Sequence, residues 1–394
     1  MTVLIAGAGI GGLTAALSLH AAGIDAVVVE SARRISPLGV GINLLPHAVR
    51  ELTELGLGEE LAALGVATTE NVYYDRSGRR LFTEPRGRAQ GYHWPQYSLH
   101  RGELQLMLLT AVRARLGPDA VRTGTRLVDF EERPGAVRAR LLDRATGAAT
   151  TYDAAALVGA DGLHSAVRAR LHPAGGPLQW SGIRMWRGVT AAEPFLTGAS
   201  AVLVTGGDAE LIAYPIGRGR INWVCQVRVA EPQPLAEEAA WNSAGRLADV
   251  LPHYADWTLG VLDVPALLAG GEPLLQYPMV DRDPLPSWGR GRVTLLGDAA
   301  HPMYPVGANG ASQAVVDARV LAHELARAAE VPDGLAHYED ARRDATTAVV
   351  RANREMHRAG GRTPQDLARI TDTYRHATGS DVHALNSRAS LTLR

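Results

Sequence analysis

The stretch Val3-Leu4-Ile5-Ala6-Gly7-Ala8-Gly9-Ile10-Gly11-Gly12 decides the fold. Its apolar opening reads as a buried strand, and the glycine turn runs straight into a helix with Leu13, Ala16, Leu17 and Leu19 at core-facing spacing. That helix is expected to stop near Gly23, and a second apolar strand over 26–29 ends on an acid, Glu30. Each part has a physical reason. Gly7 permits the tight turn, Gly9 lets a pyrophosphate approach the backbone, and Gly12 brings the helix close to the strand. Gly11 lies in the first helical turn, whose free N–H groups and dipole favour phosphate. Glu30, with Ser31 beside it, stands near the spacing at which a carboxylate accepts hydrogen bonds from an adenosine ribose. The pattern predicts a dinucleotide site without distinguishing NAD from FAD; a glycine turn kept only for packing is the plain alternative.

The chain's 394 residues suffice for two or so domains and a large core. Formal net charge is −1 with acids and bases interspersed, so neither a nucleic-acid nor a membrane partner is expected. The single cysteine, Cys225, has no partner for an intrachain disulfide and reads as a small hydrophobe buried in a strand. No basic leader or cleavable apolar segment precedes the first strand, and no run reaches the ~18 apolar residues of a membrane span. A cytoplasmic protein is the expectation. Lysine is absent, all 40 basic residues being arginine. That excludes Schiff-base chemistry, pyridoxal phosphate and a Walker-type phosphate loop. The 13 histidines are scattered with no H-x-x-x-H or H-x-H pair beside acids, so no metal site is expected.

Past Glu30, a loop over 31–43 carries Arg33, Arg34 and Gly39-Val40-Gly41. A helix with Leu52 and Leu55 on one face follows, then a short amphipathic piece around Leu61 and Leu64. Strands at 71–75 and 80–84 flank Arg76-Ser77-Gly78-Arg79, a hairpin signal that interrupts the helix–strand alternation and marks a first visit to a second domain. A helix from about Arg101 to Leu116 comes next, then a hairpin at 127–132 and 137–142 and a second glycine-acid turn, Gly159-Ala160-Asp161-Gly162. From 177 to 277 the texture changes to strands rich in Trp, Val and Ile, with one helix near 244–254. Alternation returns at 292–296, which delivers Gly297-Asp298-Ala299-Ala300-His301-Pro302, and a long helix follows the turn Gly307-Ala308-Asn309-Gly310. The last residues read as two or three helices and a polar tail. The expected division is a cofactor domain over 1–73, 98–176 and 278–330, a substrate domain over 74–97 and 177–277, and C-terminal helices over 331–394.

The three glycine-acid stations, G-x-G-x-x-G, G-A-D-G and G-D-A-A-H-P in this order, resemble the FAD-dependent aromatic hydroxylases of the p-hydroxybenzoate hydroxylase-like group. Five further stretches, at 37–43, 100–105, 185–190, 276–284 and 304–313, are similar to the phenazine-hydroxylating branch of that family. The resemblance implies an α/β fold: a Rossmann-like FAD-binding domain with an inserted mixed β-sheet substrate domain and C-terminal helices. It also implies FAD as cofactor, NADH or NADPH as a transient co-substrate, and a small aromatic substrate with dioxygen, in a monomer or homodimer. FAD is long, so one strand tip holds its ADP end while tips distant in sequence hold the rest. Asp298 suits ribityl or ribose hydroxyls, and the helix opening near Gly310 faces the flavin's electron-rich edge. By the same analogy Val40, Gly41, Arg101, Gly307 and Asn309 contact the cofactor, and Asp161 sits where FAD and the nicotinamide nucleotide meet. The turn departs from the wider family, which would place asparagine at Ser312.

The implied reaction is hydroxylation of a fused or nitrogen-containing aromatic through a flavin hydroperoxide, with a phenazine carboxylate losing its carboxyl group as one instance. Flavin supplies the reactivity and protein supplies position, dryness and charge. His301 is a candidate acid or base, with bracing of the cofactor loop as its bland role. Trp186, Tyr214, Trp223, Tyr304 and Pro305 are candidates for a flat aromatic pocket, with core packing as the alternative. Arg187 is a candidate fork for a substrate carboxylate, against a solvated strand arginine. Asp208 and Glu210 read as surface. Oxidative ring modification of a polyketide or indole-type metabolite, and a non-catalytic flavin redox sensor, are the competing functions.

Overall fold

Five short parallel strands carry the glycine turn, in the order Val293–Leu295, Ala156–Gly159, Thr2–Ala6, Asp25–Glu30, Val121–Thr123. In this computed structural model, which describes residues 1–37, 39–235, 243–359, 369 and 382–387, Val3, Leu4 and Ile5 are wholly buried. A parallel strand covered on both faces needs such an unbroken apolar run. Helix Ile10–Ala21 packs between this sheet and the long helix Gly310–Arg327. Three sequence-distant strand ends therefore arrive at one edge: the glycine turn after Ala6, Asp161 after Gly159, and Asp298 after Leu295.

The second layer is a nine-stranded sheet among the described residues. Its main path runs Ser243–Ala244, Leu275–Asp281, Leu178–Ala191, Arg220–Arg228, Ala209–Pro215, Ser200–Gly206, Glu70–Asp75, Arg80–Pro85, with Gln233–Leu235 pairing alongside Leu178–Ala191. All its pairings are antiparallel except Ser200–Gly206 with Glu70–Asp75. Both faces are covered. One holds Trp186, Trp223, Tyr254 and Trp257 against helix Val264–Ala269 and the turn at 247–253. The other meets the cofactor domain through Val40, Val189, Ala201, Tyr214 and Ile216, and the 304–306 segment through Met185, Tyr277 and Tyr304. The C-terminal helix Val331–Ala359 packs along Gly310–Arg327 and grips the sheet: Arg354 Nε and Nη2 donate to Asp281 at 2.6 and 2.8 Å.

Several expectations need correction. The loop at 31–43 ends in a strand, Gly41–Leu44, because its backbone pairs with Gln96–His100. The helix expected near 244–254 shrinks to Leu247–Val250 and a 3-10 turn, Leu251–His253, where Pro252 supplies no N–H. Helix Val264–Ala269, capped by Asp263 Oδ1 accepting the Ala266 N–H at 3.0 Å, was not anticipated. The strand Leu275–Asp281 runs past the expected boundary at 277. Most of the polar tail lies outside the described residues.

Candidate active site

The glycine turn is shaped by backbone crowding. Gly7 has φ +103°, and a Cβ there would lie 2.4 Å from the Ala160 carbonyl oxygen; a Cβ on Gly12 would lie 2.0 Å from the Gly7 carbonyl oxygen. Gly9 is different: a Cβ there would meet nothing within 4 Å, so its backbone faces open space at the start of helix Ile10–Ala21. The wall is fixed by Glu30, whose Oε2 accepts the Ala8 N–H at 2.9 Å and whose Oε1 accepts the Ala32 N–H at 2.7 Å. Ser31 is exposed beside it, and its hydroxyl donates to Glu30 Oε1 at 3.2 Å. Gln105, not singled out from sequence, closes the same turn by donating to the Ala8 carbonyl at 2.7 Å.

Asp161 Oδ2 accepts the N–H groups of Ala166 and Val167 at 2.7 and 3.4 Å, while its Oδ1 is buried with no partner. Desolvation raises its pKa against those bonds. Asp298 is open to solvent yet recessed, and desolvation raises its carboxyl although His301 and Arg101 pull the other way. A Cβ on Gly310 would sit 3.7 Å from Asp298 Oδ1, so the helix opening and this carboxylate share one wall. Arg101 is exposed at the start of its helix, and its backbone N–H donates to the Val40 carbonyl at 3.0 Å.

His301 is engaged elsewhere. It is buried, and its Nε2 meets Asp317 Oδ2 at 2.5 Å. Asp317 also accepts the Gly297 N–H at 3.1 Å and Arg342 Nε at 2.7 Å, and Arg342 Nη2 donates to Gln313 Oε1 at 2.6 Å. Gln313 in turn donates to Asn309 Oδ1 at 3.3 Å. A side-chain chain thus joins the C-terminal helix to the tip bearing Asp298 and to the turn at 307–310, where Gly307 has φ +71°. Ser312 Oγ accepts the Leu45 N–H at 3.1 Å, which ties that turn to the strand Gly41–Leu44. Buried Arg168, also missed from sequence, braces the same tip by donating to the Ala299 and Ala300 carbonyls at 3.1 and 3.0 Å.

The sheet supplies the opposite wall. Asn222 Oδ1 accepts the Gly41 N–H at 2.6 Å and Arg187 Nη2 donates to the Gly41 carbonyl at 2.5 Å. Arg187 Nε and Asn222 Nδ2 are buried without partners, and Arg187 closes no ion pair among the described residues. Burial opposes the guanidinium charge, but the neighbouring Tyr277 and Tyr214 hydroxyls hold it and the net shift is upward. Tyr304 is buried with its ring 5.7 Å from His357, and Pro305 beside it is exposed. Trp186 and Trp223 do not belong here. Strand alternation sends them to the opposite face, 1 % and 0 % exposed, where their indole N–H groups donate to Gln276 and Thr190. Glu210 is not a surface acid: it is half-buried on the cofactor-facing side, and desolvation raises its pKa.

These residues fit a long dinucleotide with a polyhydroxylated linker. An open glycine backbone meets a helix start, Asp298 is recessed and solvated, and Asp161 keeps an unused oxygen. No group of three or more His, Cys, Asp or Glu among the described residues could hold a metal ion. No helix among them is long and apolar enough to cross a membrane.

Fold and cleft together define a flavin-type dinucleotide-binding oxidoreductase with an inserted sheet. The FAD binding domain family matches residues 1–234 and 280–353. The chain belongs to that family and is an FAD-dependent aromatic monooxygenase, a class that uses a reduced nicotinamide nucleotide. It is 54% identical over 391 residues to the phenazine 1,6-dicarboxylic acid hydroxylase of Lysobacter antibioticus, covering 95% of this chain and 96% of that one. It is 34% identical to the 3-hydroxybenzoate 6-hydroxylase 1 of Aquipseudomonas alcaligenes, covering 86% and 84%. Among solved structures, Klebsiella pneumoniae HpxO complexed with FAD and uric acid superposes with a TM-score of 0.79 at 26% identity, covering 98% of this chain and 95% of that one.

Proposed function

We propose that this enzyme hydroxylates a phenazine at a ring carbon bearing a carboxylate, with loss of that carboxylate as carbon dioxide. The observation that carries the reading is Arg187, a desolvated guanidinium with an unpartnered Nε and no acid partner, on the sheet face turned toward the cofactor domain. A buried cation without a counter-charge is costly unless a ligand supplies one, and a planar fork suits a carboxylate. The 54% identical relative is named for a phenazine dicarboxylic acid.

FAD, when bound, supplies reduction by NADH or NADPH and activation of dioxygen. Gly9 and the first turn of helix Ile10–Ala21 would hold its pyrophosphate, Glu30 its adenosine ribose, and Asp298 with the Gly310 helix opening its far end. Arg187, Tyr214 and Tyr277 orient the substrate carboxylate, while Val40, Met185 and Val189 exclude water from the ring plane. One C–O bond forms at the substituted carbon and its C–COO⁻ bond breaks. The electron pair released restores aromaticity, so no base is needed to remove a ring proton. The second oxygen atom leaves as water, with the hydride equivalent from NAD(P)H and two protons from solvent closing the balance. Such a reaction asks little of His301, which is spent on Asp317.

Turnover of phenazine-1-carboxylate by the FAD-loaded enzyme under 18O2 tests this. The expected product is a hydroxyphenazine carrying one labelled oxygen, with carbon dioxide released in equal amount. Nicotinamide oxidation that yields only hydrogen peroxide with every phenazine carboxylate would overturn the reading.

A further inference from the structure

Among the described residues, the cofactor-facing side of the large sheet carries a second cation that closes no ion pair. Strand Arg220–Arg228 alternates, so Asn222, Val224, Gln226 and Arg228 share the face on which Asn222 touches Gly41. Arg187 stands opposite Val224 on the neighbouring strand, and Met185 stands opposite Gln226. Arg228 is four residues beyond Val224, which sets the two arginines about 14 Å apart at their Cα atoms. Between them lie Met185, Val224, Gln226 and, on the next strand, Ile212.

Arg228 is half-buried and closes no ion pair among the described residues; its backbone N–H donates to the Asp208 carbonyl at 2.9 Å. Glu210 and His357 lie within reach of its charge, and Tyr304 stands behind His357. Glu210, opposite Gln226, lies diagonal to Arg228 and feels its charge without pairing with it. His357, on the C-terminal helix, is pushed down to about 4 by burial and by the charges of Arg228 and Arg358, so it is neutral beside them. Tyr304 stacks edge-on against His357 from the 304–306 segment.

We infer that Arg228 is a second carboxylate receptor at the far end of the pocket from Arg187, and that it selects a fused aromatic carrying two carboxylates over one carrying a single carboxylate. The inference deepens the proposed function and rests on it for the seating of the first carboxylate. Charge balance argues for it. Among the described residues Asp208, across from Arg228, and Glu210, diagonal to it, are the neighbouring acids, and neither closes an ion pair with its guanidinium, so the arginine's charge is left available. Sitting between two guanidinium groups, a ring system with carboxylates at opposite ends satisfies both, while a monocarboxylate leaves Arg228 unmatched. A planar fork reads this geometry and an ammonium does not.

The test measures ligand binding to the FAD-loaded enzyme by perturbation of flavin absorbance, with phenazine-1-carboxylate and phenazine-1,6-dicarboxylate as probes. The unmodified protein is expected to bind the dicarboxylate at least tenfold more tightly. Arg228→Gln should abolish that preference while leaving the monocarboxylate Kd unchanged, and Arg228→Lys should restore only part of it. Equal affinity of the unmodified protein for both acids overturns the inference, as does weakening of both by the same factor in Arg228→Gln. If the preference and its loss are observed but neither acid is hydroxylated, the second receptor stands and the proposed reaction falls. If both are hydroxylated and Arg228→Gln leaves their KM ratio unchanged, the reaction stands and the receptor falls.

Discussion

Arg342→Met probes whether the C-terminal helix holds the cofactor wall in place. Asp317 is wholly buried; burial raises its pKa, yet His301 and Arg342 more than offset this and the net shift is downward. Removing one partner of a buried ion pair costs about 3–5 kcal/mol. The lower end applies here, because the Gly297 N–H and His301 still reach the carboxylate. With an unfolding entropy of about 2.1 cal/mol/K per residue, a loss of about 3 kcal/mol across a chain of this size lowers Tm by roughly 4 °C. Thermal unfolding followed in parallel by flavin fluorescence and far-ultraviolet circular dichroism is the assay. Flavin release should shift at least as far as the global transition, since the same network reaches Gly297 and, through Gln313, Asn309. Adding Asp317→Asn should recover part of the loss by removing the stranded charge. An Arg342→Met protein with unchanged Tm and unchanged flavin release would refute the reasoning.

Three further outcomes follow from the same geometry. His357 has a folded-state pKa of about 4 against an ordinary 6.5, so the unfolded chain takes up the proton first. Stability should therefore fall as pH drops from about 6.5 to about 4 and be insensitive to this group outside that window, by on the order of 2 kcal/mol once the ring's partial exposure is discounted; His357→Asn should flatten that part of the pH–stability curve in urea titrations. Gly41→Ala would place a Cβ 2.5 Å from the Asn222 Cβ. Overpacking of this kind costs about 1–3 kcal/mol, and the accompanying displacement of Val40 and Gly41 should slow turnover; a variant with unchanged kcat and Tm would argue against a tight seam. Arg187→Gln removes charge-assisted bonds of about 1.5–3 kcal/mol, so Kd for phenazine-1-carboxylate should rise roughly ten- to a hundredfold, with Arg187→Lys recovering little. Unchanged affinity in isothermal titration would remove Arg187 from the pocket.

The cofactor half was legible because its signals are local. A turn that must let Gly7 pass the Ala160 carbonyl at close range can only be glycine, and the strand before it and helix after it each carry their own periodicity. The strand Gly41–Leu44 carries no local strand signal, because it exists through pairing with Gln96–His100, some fifty residues later. Likewise the brace on His301 comes from Asp317 and, behind it, Arg342, and no spacing rule connects those positions.

The sheet misled for a different reason. Alternation assigns residues to two faces but does not say which face meets the cofactor, and here both faces are covered by apolar side chains. Trp186 and Arg187 are neighbours in sequence, one a candidate for an aromatic pocket and the other for a carboxylate fork, yet one backbone step sends the indole to the helix-side core and the guanidinium to the cleft. The same step separates Trp223 from Asn222. The polar member of each pair faces the cleft, as burial energetics require, since a helix-side core offers a guanidinium no counter-charge and no water. Arg187, Asn222, Glu210, Gln226 and Arg228 share the cofactor-facing side of the sheet, while Trp186 and Trp223 lie on the other with Gln276 and Thr190 as partners, so carboxylate specificity falls to the arginines and not to the tryptophans.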